Sequence, residues 1–397
     1  MNNIEGKIVI ELAYQPDHPP RVRIHSSRPV LASKVFTDKP AAQVLELIPL
    51  MFNICGCAQA RTAVAALRSA GTDEYDPALE AARDMLVLVE NAREHLFRIF
   101  VDWPTLCAGQ IDSQALHPLG SLMRQFREAL FETGSAFAFD SQVKADPRRV
   151  RSLIDCIDNL LSAYVTQQAA ADWLQLNDFT GLNRWAHDHD GIAALCTASI
   201  IDQGWSSQGR SEVMPLPELA ASELGERLQA SDADRFIEQP EWRGQTCDTT
   251  PLARQLDHPL IRNLIERFGH SLLPRWVARL VELARIPAQL RDLLERIEHG
   301  DAAANIDSAS GGLAQTEAAR GRLVHRAQLA NDVVSSYQIL APTEWNFHPR
   351  GLIAESLGDL RADNPEQLEK LARLMINTID PCVGYELHIQ HPVQSSA

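Results

Sequence analysis

An α+β protein is what these 397 residues predict, and three observations predict it. Short stretches of alternating apolar and polar residues lie near both ends of the chain, as half-buried strands require. Between them run long segments whose apolar residues recur at the helical period. Hydrophobic residues make up 45% and charged ones 22%, enough for an ample core, and no repeat, low-complexity run or charge block marks a linker. The expected architecture is one domain over residues 1–397, with a central bundle of long helices and small antiparallel sheets near both termini.

Ile8 to Tyr14 and Arg21 to His25 alternate, with Pro16, Pro19 and Pro20 between them, and predict a hairpin. Ala41 to Phe52 is short and apolar, a buried helix that leads into Cys55. A second helix, rich in alanine, begins at Gln59. Pro77 suits a first helical turn. From it Leu79, Ala82, Leu86, Val89, Leu96 and Ile99 trace an apolar face as far as Phe100. Further helices are expected from Ser113 to Phe131, Arg148 to Leu176, Pro217 to Gln229, Leu252 to Phe268 and Arg275 to His299. Pro287 should kink or divide the last of these. Two strands, Gly321 to Leu329 and Val333 to Leu340, meet at Asn331-Asp332, a pair that tolerates positive φ. A helix from Pro365 to Thr378 then empties into Asp380-Pro381-Cys382.

A net charge of -15 argues against nucleic acid or an anionic membrane as partner. Met1 to Gly6 lacks the basic and apolar regions of a signal peptide, and no apolar run is long enough to span a bilayer. A cytoplasmic protein is expected, without membrane insertion. Its seven cysteines are then core fillers, ligands or reactive thiols, not a disulfide framework. No phosphate-binding Gly-rich loop and no Gly-x-Ser-x-Gly occurs.

Cys107, Cys156, Cys196 and Cys247 read as small buried hydrophobes. Cys55, Cys57, Cys382 and His388 are different, because they form two half-sites of metal-ligand type at opposite ends of the chain. Cys55 stands where a Cys-x-x-Cys would begin, but Ala58 fills its second position. Cys382 does the same, with Tyr385 at the second position and His388 three residues on. Cys55-Gly56-Cys57 at a helix entrance would favour a thiolate. His187 and His189 read as a solvated loop. Arg320, beside Gly321, is either a partner for a carboxylate such as Glu317 or a fixed cationic fork aimed into a pocket.

Four blocks carry a resemblance: Glu317-Ala318-Ala319-Arg320-Gly321 with Leu323 and His325; Tyr337; Pro342-Thr343-x-Trp345-Asn346; and Asp380-Pro381-Cys382-x-x-Tyr385-x-x-His388. In this order they resemble the large subunit of a [NiFe]-hydrogenase. Ile4-Glu5-Gly6 is similar to that family's opening segment, and Ile54-Cys55-Gly56 to its first cysteine motif.

The resemblance implies a [NiFe]-hydrogenase large-subunit-like fold with both cysteine motifs close together. In the family, four cysteines hold nickel and iron, and the iron carries two cyanides and a carbon monoxide. Here Ala58 and Tyr385 occupy both positions of the bridging thiolates, so neither nickel nor hydrogen turnover is expected. Arg320 and Thr343 match the family's donors to the two cyanides. That combination resembles the HupK/HoxV group of hydrogenase maturation proteins. It implies a scaffold that transiently holds the Fe(CN)2(CO) unit through Cys55 and Cys382, assisted by Cys57. Its partners would be hydrogenase maturation proteins and the hydrogenase large-subunit precursor. His388 matches a terminal metal-binding histidine, but no upstream glutamate pairs with it, and a magnesium site finds little support. Asn53, Lys7 and Ala319 depart from the family pattern. The residues after His388 are expected not to be a processed extension. The alternatives are a sensor or enzyme with atypical ligands, and a cofactor-free interaction protein of the same fold.

Overall fold

Proline cannot donate to a β-ladder, so a strand holding Pro19 and Pro20 belongs at a sheet edge. In the computed structural model it lies there. The structure describes residues 6–52, 54–71, 76–107, 109–132, 136–300 and 309–390, the side chains at 30, 31, 309 and 310 excepted. Ile4, Glu5, Asn53 and the chain beyond Gln390 fall outside the described residues. β1 (Ile8–Gln15) and edge strand β2 (His18–Ser26) form the expected hairpin. It turns through Asp17 at φ 62°.

α1 (Ala41–Met51) brings the chain to Cys55, and α2 (Gly56–Gly71) starts three residues sooner than its alanine content suggested. α3 (Pro77–Phe97) begins where Pro77 predicts, with the Asp76 side chain accepting from the amides of Ala78 and Leu79. A π-helical turn, Arg98–Asp102, follows it. The expected helix from Ser113 to Phe131 is broken at Pro118 into Ser113–Leu116 and α4 (Leu119–Leu130). That expected from Arg148 stops as α5 (Pro147–Leu160), followed by a π turn. Two helices, Phe179–Asp188 and Ile192–Asp202, lie outside the segments expected to be helical. His187 ends the first of them and pairs with Asp202.

α6 (Leu272–His299) runs unbroken through Pro287, against expectation. Its flanks explain why. Residues on both sides of the proline are buried in the core, and that burial outweighs one lost hydrogen bond. α6 packs along α3 and also meets α5, which makes the centre of the bundle. Trp103 stacks on Trp276 of α6 at 3.7 Å.

β3 (Leu313–Ala318), β4 (Gly321–Ala330) and β5 (Val333–Leu340) form an antiparallel sheet, extended by Ala309–Ser310. The β4–β5 turn is Asn331-Asp332, with φ 53° and 62° as its residues predict. α2 lies across β3 and β4. α7 (Pro342–Asn346) and α8 (Pro365–Ile379) follow, and then β6 (Tyr385–Gln390).

β6 corrects the expectation of purely antiparallel terminal sheets. It pairs with β1 in parallel, Ile8 opposite Tyr385 and Glu11 opposite His388. The first and last described strands therefore share one mixed sheet. No helix among the described residues is long and apolar enough to cross a membrane.

Candidate functional site

Cys55 sits at the entrance to α2, where the first amides of a helix lack internal partners. A carboxylate from another helix supplies them. Glu90 of α3 accepts from the Cys57 amide at 2.7 Å and the Ala58 amide at 3.0 Å. Buried, and beside Glu94, Glu90 has its pKa pushed up to about 7 despite those amides. It continues a row on α3 (Ala82, Leu86, Glu90, Glu94) at spacing four. Two carboxylates extending an apolar stripe were the signal in the sequence that marked them as buried.

Cys382 follows α8, which ends at Asp380 with φ 62°. Three arginines surround that buried carboxylate: Arg98 Nε at 3.0 Å, Arg320 Nε at 3.4 Å and Arg279 Nη2 at 3.7 Å. Burial alone would raise the Asp380 pKa, but the three cations win and lower it. Thr343, buried in α7, donates from Oγ1 to Cys382 Sγ at 2.9 Å and accepts the Cys382 amide at 3.3 Å.

Arg320 occupies the two-residue turn between β3 and β4, where Ala318 pairs with Gly321. Gly321 has φ 131°, and a Cβ there would lie 2.2 Å from the Thr249 carbonyl oxygen, so only glycine fits. Asn346 fixes the turn, donating from Nδ2 to the Arg320 carbonyl at 2.9 Å while its Oδ1 accepts the Thr249 amide. The guanidinium is buried, hydrogen-bonds Glu94 at 3.2 Å and forms an ion pair with Asp380. Burial opposes its charge, yet Asp380 and Glu94 hold its pKa above the usual range. Glu317 is not its partner; that carboxylate pairs with Arg322 and Arg254.

A polar chain supports Cys55 from behind. Gln59 Nε2 lies 3.7 Å from Cys55 Sγ, and its Oε1 faces His325 Nε2 at 2.8 Å. His325 Nδ1 meets the Tyr337 hydroxyl at 2.8 Å. This orientation places the proton of His325 on Nε2 and makes Nδ1 an acceptor. Burial drops its pKa to about 3, so the ring is neutral.

Cys55 and Cys382 line one narrow cleft with Gln59, Glu90, Glu94 and Arg320. The cleft has room for about one water-sized group. Burial, then Cys382 and Glu90, push the Cys55 thiol up to about 12, so it is protonated until something positive replaces the proton.

The remaining sequence candidates lie elsewhere. Cys57 does not line the cleft; its thiol contacts Glu90 and Arg127 of α4, and burial raises its pKa. Ala58 is wholly buried in α2. Tyr385 is the first residue of β6, its phenol engaged with Arg373. His388 is exposed on β6, 3.6 Å from Glu386, and is not brought to the cysteines. Among the described residues no group of three or more His, Cys, Asp or Glu is placed to hold a metal ion. Two soft thiols, flanked by fixed cationic and hydroxyl donors, are what the site offers.

The sequence pattern of the nickel-dependent hydrogenases matches residues 177–388, more than half of the chain. The chain belongs to that family. Within the family, its full-length similarity runs to hydrogenase expression/formation proteins. HoxV of Cupriavidus necator is 28% identical, over 94% of each chain. HupK of Bradyrhizobium diazoefficiens is also 28% identical, over 97% of this chain and 94% of that one. The [NiFeSe] hydrogenase of D. vulgaris Hildenborough has the same fold, with TM-score 0.65 and 14% identity. That likeness covers 93% of this chain and 94% of the hydrogenase chain. In this nickel-dependent hydrogenase fold, Gly321 and Asn346 position Arg320, and Tyr337 and His325 support Cys55 through Gln59. Sequence reasoning missed Glu90 and Arg28, which come from segments without a motif of their own, and Gln59, one helical turn beyond Cys55.

Proposed function

We propose that this chain is a hydrogenase maturation scaffold and not itself a hydrogenase. It receives an iron unit already carrying cyanide and carbonyl ligands, holds it on Cys55 and Cys382, and passes it to the precursor of a catalytic large subunit. One observation carries this reading. The two thiols converge in a buried cleft whose carboxylates are already engaged, Glu90 by the Cys57 and Ala58 amides and Glu94 by Arg320, and among the described residues no group of three or more His, Cys, Asp or Glu is placed to hold a metal ion. Such a pair is poor at caging a bare ion but suits a metal that brings most of its ligands with it. Release is easier from two ligands than from four.

Arg320 and Thr343 are the donors to the cyanides, each fixed by its own partners before the cargo arrives. Both cysteines ligate as thiolates, and the charge of the iron stabilises the ionised Cys55. Cys57 contributes through its amide, which holds the helix entrance in place. Nickel and magnesium have no assigned role. The partners are the maturation proteins that deliver the unit and the precursor that takes it, all in the cytoplasm.

Infrared spectroscopy of the anaerobically purified protein and its accumulated complexes tests this. Bands in the cyanide and carbonyl region are expected from the wild type and absent from Cys55→Ala and Cys382→Ala. No bands from the wild type or any of its complexes would remove the scaffold reading and leave an interaction protein. Bands surviving in Cys382→Ala would remove that residue as a ligand.

A further inference from the structure

The thiol pair has two sides. On the inner side lies the narrow cleft of Arg320 and Glu94. On the outer side, Cys55, Gln59, Ala341 and Cys382 also wall a chamber of about 360 Å3. Its rim is apolar, with Leu50, 73% exposed, and Ile54, 37% exposed, at the surface. Arg28 is the one cation lining it among the described residues.

Arg28 is held there by construction. Gly6 has φ 68°, and a Cβ on it would lie 2.7 Å from Arg28 Cα and 2.7 Å from the Ser27 carbonyl oxygen. That close approach presses residues 27 and 28 against the start of β1. The Ser27 amide donates to the Lys7 carbonyl at 3.0 Å, and the Lys7 amide to Ser27 Oγ at 3.0 Å. At the other end, Glu344 of α7 grips Arg28 Nη1 at 2.9 Å, with both side chains largely buried. Glu344 Oε2 has no hydrogen-bond partner among the described residues, although Glu344 is only 8% exposed. Neighbouring residues of α7 thus serve the two sides: Thr343 bonds Cys382, and Glu344 aims Arg28.

An iron with three diatomic ligands cannot place all of them in a cleft that holds one water-sized group. The ligands left over must project into the outer chamber. A guanidinium has five N–H donors; Glu344 pairs with Nη1 and the Cys382 thiol is a second hydrogen-bond partner, so two partners leave donors over and hold the fork against the thiol pair. We infer that Arg28 is a further anion-binding residue of this site, donating to a cargo ligand in the outer chamber, and that the cargo enters and leaves by that side. The identity of the cargo rests on the maturation reading; the anion-binding role of Arg28 does not.

The test uses the full chain as wild type, Arg28→Met and Arg28→Lys. It adds Arg28→Met/Glu344→Gln, so that a buried unpaired Glu344 cannot account for the result by unfolding. Alkylation of Cys382 by iodoacetate and by iodoacetamide is followed by peptide mass spectrometry. The anionic reagent should lose about five- to tenfold in rate relative to the neutral one in both Met variants. Lys should keep most of the ratio. A ratio that does not respond to Arg28 in either folded Met variant overturns the inference. In iron-loaded protein the cyanide bands should shift or weaken in both Met variants. If the ratio responds but no wild-type preparation shows cyanide bands, Arg28 stands and the iron cargo falls. If the bands are present and neither ratio nor bands respond, the cargo stands and Arg28 falls.

Discussion

Thr343 and Cys382 form a closed pair: the hydroxyl lies 2.9 Å from the sulfur and accepts the amide of the same cysteine at 3.3 Å. One oxygen therefore fixes both the thiol and the backbone of a residue that stands half-buried at the end of a helix. Replacing it tests how much of the site depends on that contact. Thr343→Val keeps the shape but leaves the Cys382 amide without an acceptor, at a cost of about 1–2 kcal/mol. Urea unfolding should show that loss, and Thr343→Ser should recover most of it.

Asp380 is the shared carboxylate of Arg98, Arg279 and Arg320. Arg98 also has Asp102 and Arg320 has Glu94, but Asp380 is the one carboxylate paired with Arg279 among the described residues. Asp380→Asn tolerates the φ of 62° and removes only the charge. It should destabilise by about 3–5 kcal/mol, the usual result of stranding a buried cation. Equilibrium denaturation checks this, and a loss below about 1 kcal/mol would contradict the picture of Asp380 as their anchor.

His325 sets an acid limit. Its folded pKa, about 3, lies below the ordinary 6.5, because burial between Gln59 and Tyr337 excludes the charged ring. Above pH 6.5 both states are neutral and its contribution is fully present. As pH falls below 6.5 the unfolded chain takes up a proton that the folded one refuses. Stability then drops by about 1.4 kcal/mol per pH unit on this account, until the folded ring protonates. His325→Gln should flatten the slope between pH 6 and 5 by about that amount, measured by denaturant unfolding at each pH.

Gly6→Ala should be costly although the residue belongs to no helix or strand. It meets both a positive φ and a backbone contact at 2.7 Å, so about 2 kcal/mol or more is expected in thermal unfolding. The same substitution should loosen Arg28 and slow iodoacetate at Cys382.

Cys57 separates a ligand from a neighbour. Its thiol contacts Glu90 and Arg127 and does not line the Cys55–Cys382 cleft. Cys57→Ala should retain any cyanide and carbonyl bands that the wild type shows, whereas Cys55→Ala should not. Loss of the bands in Cys57→Ala, with folding intact by circular dichroism, would make Cys57 a ligand after all.

What could be read from the sequence was local. Pro77 with Asp76 placed the start of α3, and Asn331-Asp332 placed the β4–β5 turn, because turn and cap chemistry act over a few residues. The run from Glu317 to Gly321 and the stretch Asp380-Pro381-Cys382 marked Arg320 and Cys382 as candidates. The Arg320 turn shows the limit of that reading. Its glycine and arginine were legible, but the reason for the glycine is Thr249, 72 positions away.

The sequence by itself determined which residue types were present: two thiols, a fork and a hydroxyl, with Ala58 three residues after Cys55 and Tyr385 three after Cys382. Only the tertiary structure decided which of them meet. It joined Cys55 to Cys382, left Cys57 out of their cleft and paired β6 with β1 so that His388 faces solvent. It also brought in Glu90 and Arg28, which lie outside the motifs. Side-chain identity is written residue by residue, but convergence depends on packing between segments hundreds of positions apart. Here that packing is set by the buried α3–α6 core and the close approach at Gly6 and Gly321.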